Sequence, residues 1–341
     1  MVSIQQESII WQLSYEQQLA LLKLRGIAEM NLNYVELSKL RLNKTRYLSY
    51  QRQLRSIESI GYYVIKEYAN PFYNGKKYNG IEFDDIVNRY FYDKHLKQHV
   101  LQAIETIEVA LNAKIAHILG NRCGAFGYLD FNNWCQLNGI NGYLGKNKKV
   151  NKYLLQDEEL RFKKKLANAV RKSSNPDIID FISTTQNIYP SVWLMVGMLD
   201  FGGSVRILKL MDEELRKEVA KYFKLSEYDL IKWLETINLI RNICCHNRNF
   251  IDFSLRTKPP INDKIKPFLY SHSEGKKIVY TNKVALPILM IVYLVKAINP
   301  RYDIGKLMKS VRKFATSDSE AQKIGFENKK SIGIKRINLS I

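Results

Sequence analysis

Acidic residues are the scarce class in this chain: 33 Asp and Glu stand against 53 Lys and Arg, a net charge of +20 over 341 residues. An imbalance of that size points to a polyanionic partner, either nucleic acid or an acidic membrane surface. Proline and glycine are also few, 8 and 17, which argues against a fold of many short strands and turns and for long helices. The 4 cysteines, Cys123, Cys135, Cys244 and Cys245, do not make the disulfide framework of a secreted protein in a chain this long. The longest apolar run, residues 284–295, contains Pro287 and falls short of the ~20 residues that span a bilayer. The opening residues lack a basic stretch followed by an apolar one, so no signal peptide is expected. Neither the GxxxxGK[ST] phosphate loop nor a GxSxG nucleophile elbow occurs. A reduced, cytoplasmic protein off the membrane, with nucleic acid as its partner, is the expectation.

What is present is a globular composition, 46% hydrophobic, written mostly in helical periods. Residues 96–119 place Leu96, Val100, Ile104, Ile107, Leu111, Ile115 and Ile118 at steps of three and four, one apolar stripe from which Glu105 and Glu108 fall away. Residues 13–30 and 50–68 read as earlier helices. The second carries Leu54, Ile57, Gly61, Val64 and Tyr68 on one side and is stopped by Asn70-Pro71, because the residue before proline is driven out of the helical region. Residues 120–149, rich in Gly and Asn around Trp134, form a long irregular connection. Pro190 fits the first turn of a helix over 191–199, and Gly202-Gly203 breaks the chain before a helix over 205–223. Ser226 with Asp229 caps a helix over 228–245, whose apolar positions are Leu230, Trp233, Leu234, Ile237 and Ile240. A short strand over 276–281 and a strongly apolar helix over 283–298 follow.

The positive charge is concentrated. Residues 146–172 hold ten Lys and Arg against three acids, including Arg161, Lys163, Lys164 and Lys165, and the tail from Ile304 holds nine against three. Such a run is either a solvated helix face or a contact to a phosphate backbone. His95 and His99, four apart, could share a metal, but no trio of Cys or carboxylates accompanies them, so no metal or cofactor is expected. Cys244-Cys245 have no CxxC partner and read as small fillers at a helix interface.

The segment Arg241-Asn242-Ile243-Cys244-Cys245-His246-Asn247-Arg248 closes the 228–245 helix with an unusual set of groups. RNA is cleaved without metal when its own 2′-hydroxyl attacks the adjacent phosphorus. That step needs a group that moves protons near neutral pH and a cation for the charge that builds on the phosphorane. Histidine suits the first, with an ordinary pKa near ~6.5. Arginine suits the second, with a permanent charge and a fork of donors. On an ideal helix of ~100° per residue, Arg241 and His246 stand ~140° apart, whereas Asn242 and His246 share a face. Arg241 therefore reaches round, or the helix is distorted, or two copies combine their groups. Arg and His at a helix C-terminus also complement its dipole, which is the alternative reading.

Arg241-Asn242-(three residues)-His246 resembles the R-[N/D/H]-x(3–5)-H signature of HEPN ribonucleases. Leu54-(six residues)-Gly61-Tyr62-Tyr63, then Tyr68 and Pro71-Phe72, is similar to a segment of abortive-infection (Abi) proteins of the AbiD/AbiF kind. Phe83, Tyr90, Tyr92-Asp93 and the run IETIEVAL at 104–111 resemble further elements of that family, as do Tyr189-Pro190-Ser191-Val192-Trp193 and Phe201-Gly202-Gly203. The order and spacing agree over residues 15–265. The resemblance implies a HEPN-like helical bundle, a homodimer in which two such motifs face one another, metal-independent cleavage that leaves a cyclic phosphate, and in some relatives a small non-coding RNA as partner. Lys97 and Asn112 stand where relatives often carry Arg.

The expectation is an all-α fold: an N-terminal helical region over 1–80, a HEPN-like bundle over 81–255 with an insertion around 120–175, and a basic helical extension over 256–341. The expected function is an endoribonuclease of a bacterial antiphage or toxin-like system, regulated by RNA. Arg241, His246 and Asn242 are its catalytic groups, and Arg248, Arg161, Lys163, Lys164 and Lys165 hold RNA. A non-catalytic binder of structured RNA and a dimeric protein-interaction scaffold are the alternatives.

Overall fold

The computed structural model describes residues 12–27 and 44–333. The part of the first expected helix beyond Ile27, and the last basic residues of the tail, lie outside the described residues. The all-α expectation holds: among the described residues there are fourteen helices and one two-stranded sheet. The chain divides into two compact units, residues 1–97 with 247–253, and residues 98–246 with 254–341. The sequence-drawn boundary after residue 80 falls inside the first.

The first unit holds α1 (Tyr15–Leu24), α2 (Lys44–Ile60), α3 (Tyr62–Ala69) and the opening of α4 (Phe83–Cys123). A capping box starts α1: the Ser14 hydroxyl accepts from the Gln17 N–H, and the Gln17 side chain accepts from the Ser14 N–H. Leu19, Leu22, Ile57, Ile65, Tyr68, Phe83 and Ile86 are its buried core. The single helix expected over 50–68 is two. Gly61 sits between them at φ +93°, a left-handed conformation with no atom within 4 Å of where a side chain would begin. Backbone geometry rather than crowding reserves the position for glycine. Pro71 lies in a single 3-10 turn after α3.

The second unit takes the remainder of α4, then α5 (Lys152–Arg171), α6 (Pro176–Thr185), α7 (Val192–Met195), α8 (Phe201–Leu210), α9 (Glu213–Tyr222) and α10 (Glu227–Cys245). The hairpin β1 (Ser271–Glu274) and β2 (Lys277–Tyr280) comes next, with Ser271 opposite Tyr280, and then α11 (Ala285–Ile298), α12 (Gly305–Arg312), α13 (Asp318–Lys323) and α14 (Lys329–Ile332). All seven residues of the stripe from Leu96 to Ile118 are at most 2% exposed. Helix α11 is buried from Ala285 to Ala297, as a helix apolar on every side must be. It packs on α10, where Tyr293 meets Trp233 edge-on at 5.2 Å, the Tyr293 hydroxyl donates to the Lys224 carbonyl, and the Trp233 indole N–H donates to the Pro260 carbonyl. Among the described residues no helix is long and apolar enough to cross a membrane.

Three expectations change here. Gly202-Gly203 do not break the chain but form the first turn of α8. Asp200 caps that helix through the Gly203 N–H at 2.7 Å, and a side chain at Gly203 would begin 2.8 Å from the Asp200 carboxylate. The helix expected over 205–223 is two, because Asp212 starts a new one by accepting from the Leu215 N–H. Pro190 precedes its helix rather than entering the first turn: Ser191 is the cap of α7. The C-terminal region, which shows little periodicity, folds into three short helices, the last two capped by Ser317 and Asn328, that bury Leu307, Val311, Ala321 and Ile332.

Candidate functional site

The motif residues stand at the end of α10, which Ser226 starts by accepting from the Asp229 N–H at 3.0 Å. Ile237, Ile240, Ile243 and Cys244 anchor its inner face. Arg241 is half-buried, while Asn242 and His246 are exposed. His246 is the C-terminal cap, its N–H donating to the Asn242 carbonyl at 3.0 Å, and Asn247 then turns left-handed at φ 51°. The helix is thus regular up to the histidine, and the loop starts with it. Cys244 is buried, in keeping with a filler role, whereas Cys245 is exposed.

Two carboxylates that the motif does not contain lie within electrostatic reach of Arg241. Burial raises the Glu108 carboxyl above its ordinary value; the Arg241 charge opposes this, and Asp200 and Glu105 add to it. Burial also works to raise Asp200. Its bonds from Lys165 and the Gly203 N–H, together with the charges of Lys165 and Arg241, outweigh burial and hold it below the ordinary range. The Lys165 ammonium donates to both Asp200 oxygens at 2.9 Å. Asp200 therefore links one residue of the basic run to the arginine of the motif. A groove of about 280 Å³ opens beside this pair, lined by Arg161, Phe162, Lys165, Asp200 and Arg206 among others.

The rest of the basic run is less available than its composition suggests. Arg161 pairs with Asp157 at 2.8 Å and Lys163 with Glu159 at 2.6 Å, each one turn away on α5, while Lys164 is exposed. Asn112 is occupied too: its amide donates to the Val196 carbonyl at 3.2 Å, and its oxygen accepts from the Ser204 hydroxyl. His99 meets the Ser310 hydroxyl at 2.8 Å through Nδ1. Among the described residues no group of three or more His, Cys, Asp and Glu is placed to hold a metal ion.

The segment after the motif, residues 247–253, is held within the first unit by a buried carboxylate that sequence reasoning did not single out as a site residue. Asp93 is fully buried and accepts from the Tyr68 hydroxyl at 2.6 Å, the Phe250 N–H at 3.0 Å and the Ile251 N–H at 2.9 Å. Burial raises its carboxyl above the ordinary range despite the nearby Lys97 charge and these bonds. Lys97, itself buried, pairs with Asp93 at 3.3 Å and donates to Asn247 Oδ1 at 2.8 Å and to the Arg248 carbonyl at 3.1 Å. Lys97 thus holds the loop that carries Arg248, whose own side chain is exposed.

The model of the Abi-like protein family matches residues 55–252, more than half of the chain. The chain belongs to the Abi-like protein family. It is therefore an abortive-infection-type protein, and the matched span takes in the Gly61-Tyr62-Tyr63 turn, Asp93, the α5 basic run and the motif from Arg241 to Arg248. No curated protein and no solved structure matches it.

Proposed function

We propose that this Abi-like chain is a metal-independent endoribonuclease of the HEPN type, of the AbiD/AbiF kind, acting in RNA-regulated phage defence or as a toxin. The observation that carries this reading is the end of α10, where an exposed His246 closes the helix five residues beyond a half-buried Arg241 set near Glu108 and Asp200. The imidazole takes the proton of the RNA 2′-hydroxyl, the 2′-oxygen attacks the adjacent phosphorus, and the P–O5′ bond breaks as the 5′-oxygen takes a proton from the imidazolium. The products are a 2′,3′-cyclic phosphate and a 5′-hydroxyl. Arg241 offsets the charge that develops on the phosphoryl oxygens, and the exposed Asn242 amide supplies a neutral donor on the histidine's side of the helix. Since Arg241 and His246 diverge by ~140° on a regular helix, the reading includes a symmetric homodimer in which two copies of the motif complete each other.

The test is cleavage of RNA in EDTA. Wild type should cut, and His246→Ala, a change at an exposed position, should lose at least ~10²-fold in rate. Equal cleavage by both removes His246 from the chemistry. If RNA is bound but never cut, a non-catalytic RNA-binding protein is the reading that stands.

A further inference from the structure

The cleft of the N-terminal unit has no role in the chemistry above. Helix α1, the end of α2 and the start of α3 enclose about 380 Å³ there, lined among others by Tyr15, Arg25, Glu58, Tyr62, Tyr63 and Lys66. This is within the size range of small-ligand sites. Its most unusual feature is Tyr63, 78% exposed on a helix where Tyr62 and Val64 are half-buried and Ile65 and Tyr68 buried. Tyr62 beside it is fixed. Its hydroxyl accepts from Arg25 Nη1 at 2.6 Å, the Arg25 guanidinium stands 6.0 Å from its ring centre, and its ring meets that of Tyr63 edge-on at 5.2 Å. Tyr63 is thereby braced on one side and open to solvent over most of its surface. Lys66 follows three residues later, on the same side of the helix. Arg25 uses one of its five N–H donors on Tyr62, which leaves others for an anion.

An open aromatic ring flanked by two cations, in a chain of net charge +20, matches the chemistry of an unpaired nucleotide. A base of any identity stacks on a tyrosine ring, and a phosphate beside it is met by Lys and Arg. We propose that this cleft receives one unpaired nucleotide of a single-stranded RNA, with its base on Tyr63 and its phosphate at Lys66 and Arg25. Glu58, also in the lining, would accept from a ring or exocyclic N–H of the base. The proposal rests on RNA as the partner, but not on cleavage by Arg241 and His246.

The experiment is a fluorescence-anisotropy titration of the full chain with a short 2′-O-methylated single-stranded oligonucleotide, which cannot be cut. Tyr63→Ala should weaken binding about five- to a hundredfold, the range for loss of one stacked base. Tyr63→Phe, which keeps the ring, should stay near wild type. Lys66→Gln should lower the salt slope by about one unit, whereas Tyr63→Ala should leave the slope unchanged. A blunt RNA duplex, whose bases are not free to stack, should bind wild type and Tyr63→Ala alike. Circular dichroism checks that each variant is folded. Wild-type affinity in Tyr63→Ala overturns the proposal, and so does a wild type that binds no single-stranded oligonucleotide. Cleavage of unmodified RNA, and its loss in His246→Ala, is read in parallel and decides the ribonuclease assignment separately.

Discussion

Replacing Asp93 with Ala should destabilise the N-terminal unit severely, and the structure sets the size of the effect. The carboxylate is fully buried and accepts three hydrogen bonds, from Tyr68, Phe250 and Ile251, besides its pairing with the Lys97 ammonium. Losing one partner of a buried ion pair costs about 3–5 kcal/mol, because the other charge is left without compensation. The Phe250 and Ile251 N–H groups lose their acceptor as well, and a buried unsatisfied donor costs about 1–3 kcal/mol. Water or Asn247 can take up part of the uncompensated charge, so the net loss should stay within the range for the pair, about 4 kcal/mol. Denaturant unfolding followed together with hydrogen exchange at the Phe250 and Ile251 amides measures it, since a chain of two units need not unfold in one step. The double variant Asp93→Ala/Lys97→Met should be less damaged than the single one, because no buried charge remains to be compensated. A loss below about 1 kcal/mol in Asp93→Ala, or a double variant as unstable as the two single losses added together, would refute the reasoning.

Two further outcomes follow from the second unit. Gly203→Ala should lose about 1 kcal/mol, the usual worth of an N-cap, because its side chain would begin 2.8 Å from Asp200 Oδ1; thermal unfolding checks this, and unchanged stability would show that Asp200 moves aside freely. Glu235 is held below the ordinary glutamate value of 4.5: burial opposes this, but hydrogen bonds from Lys209 and Lys232 outweigh it. Its contribution is present above that value and fades as pH falls through the lowered one, so Glu235→Gln should unfold with a flatter acid limb than wild type, by about 1 kcal/mol, the upper end for surface pairs, since both partners are only part-exposed.

The parts of the fold legible in the sequence were those in which apolar residues alone carry the period. The Leu96 to Ile118 stripe, the Ser226 cap and the apolar α11 all lie as read. The full reach of α4 back to Phe83 was not, because a core position in its first part is occupied by Asp93. A buried carboxylate interrupts an apolar pattern without interrupting the helix. The break at Gly61 was hidden for the opposite reason: the apolar period continues across it, and only the sign of φ separates α2 from α3. In the site, the order Arg241, Asn242, His246 is a local pattern and could be read. Glu108 and Asp200 approach Arg241 from distant parts of the sequence, and only Glu108 left a trace, as a glutamate off the apolar stripe of its helix.

Charge counting met the same limit. Four cations within five residues, Arg161 to Lys165, read as a surface for phosphates, yet Asp157 and Glu159 one turn earlier on α5 pair with two of them and Asp200 takes a third. Of these four, only Lys164 has no ion pair with a described residue. The Arg161 pair is exposed and the Lys163 pair half-buried; an exposed pair is weak, about 0–1 kcal/mol, so a polyanion can still compete for Arg161 and less readily for Lys163. The competition has a consequence for experiment: reversing them to Glu would place like charges one turn apart and weaken α5 itself. Lost RNA binding in such a variant would mix a missing contact with a loosened helix. Lys164→Gln separates the two, because it removes a cation without creating repulsion. Lys165 is different in kind, since its partner Asp200 also lies within reach of Arg241. A phosphate that drew Lys165 away would leave Asp200 with the Gly203 N–H and with Arg241 as its remaining nearby cation, so binding at the basic helix would change the charge surrounding the arginine of the motif.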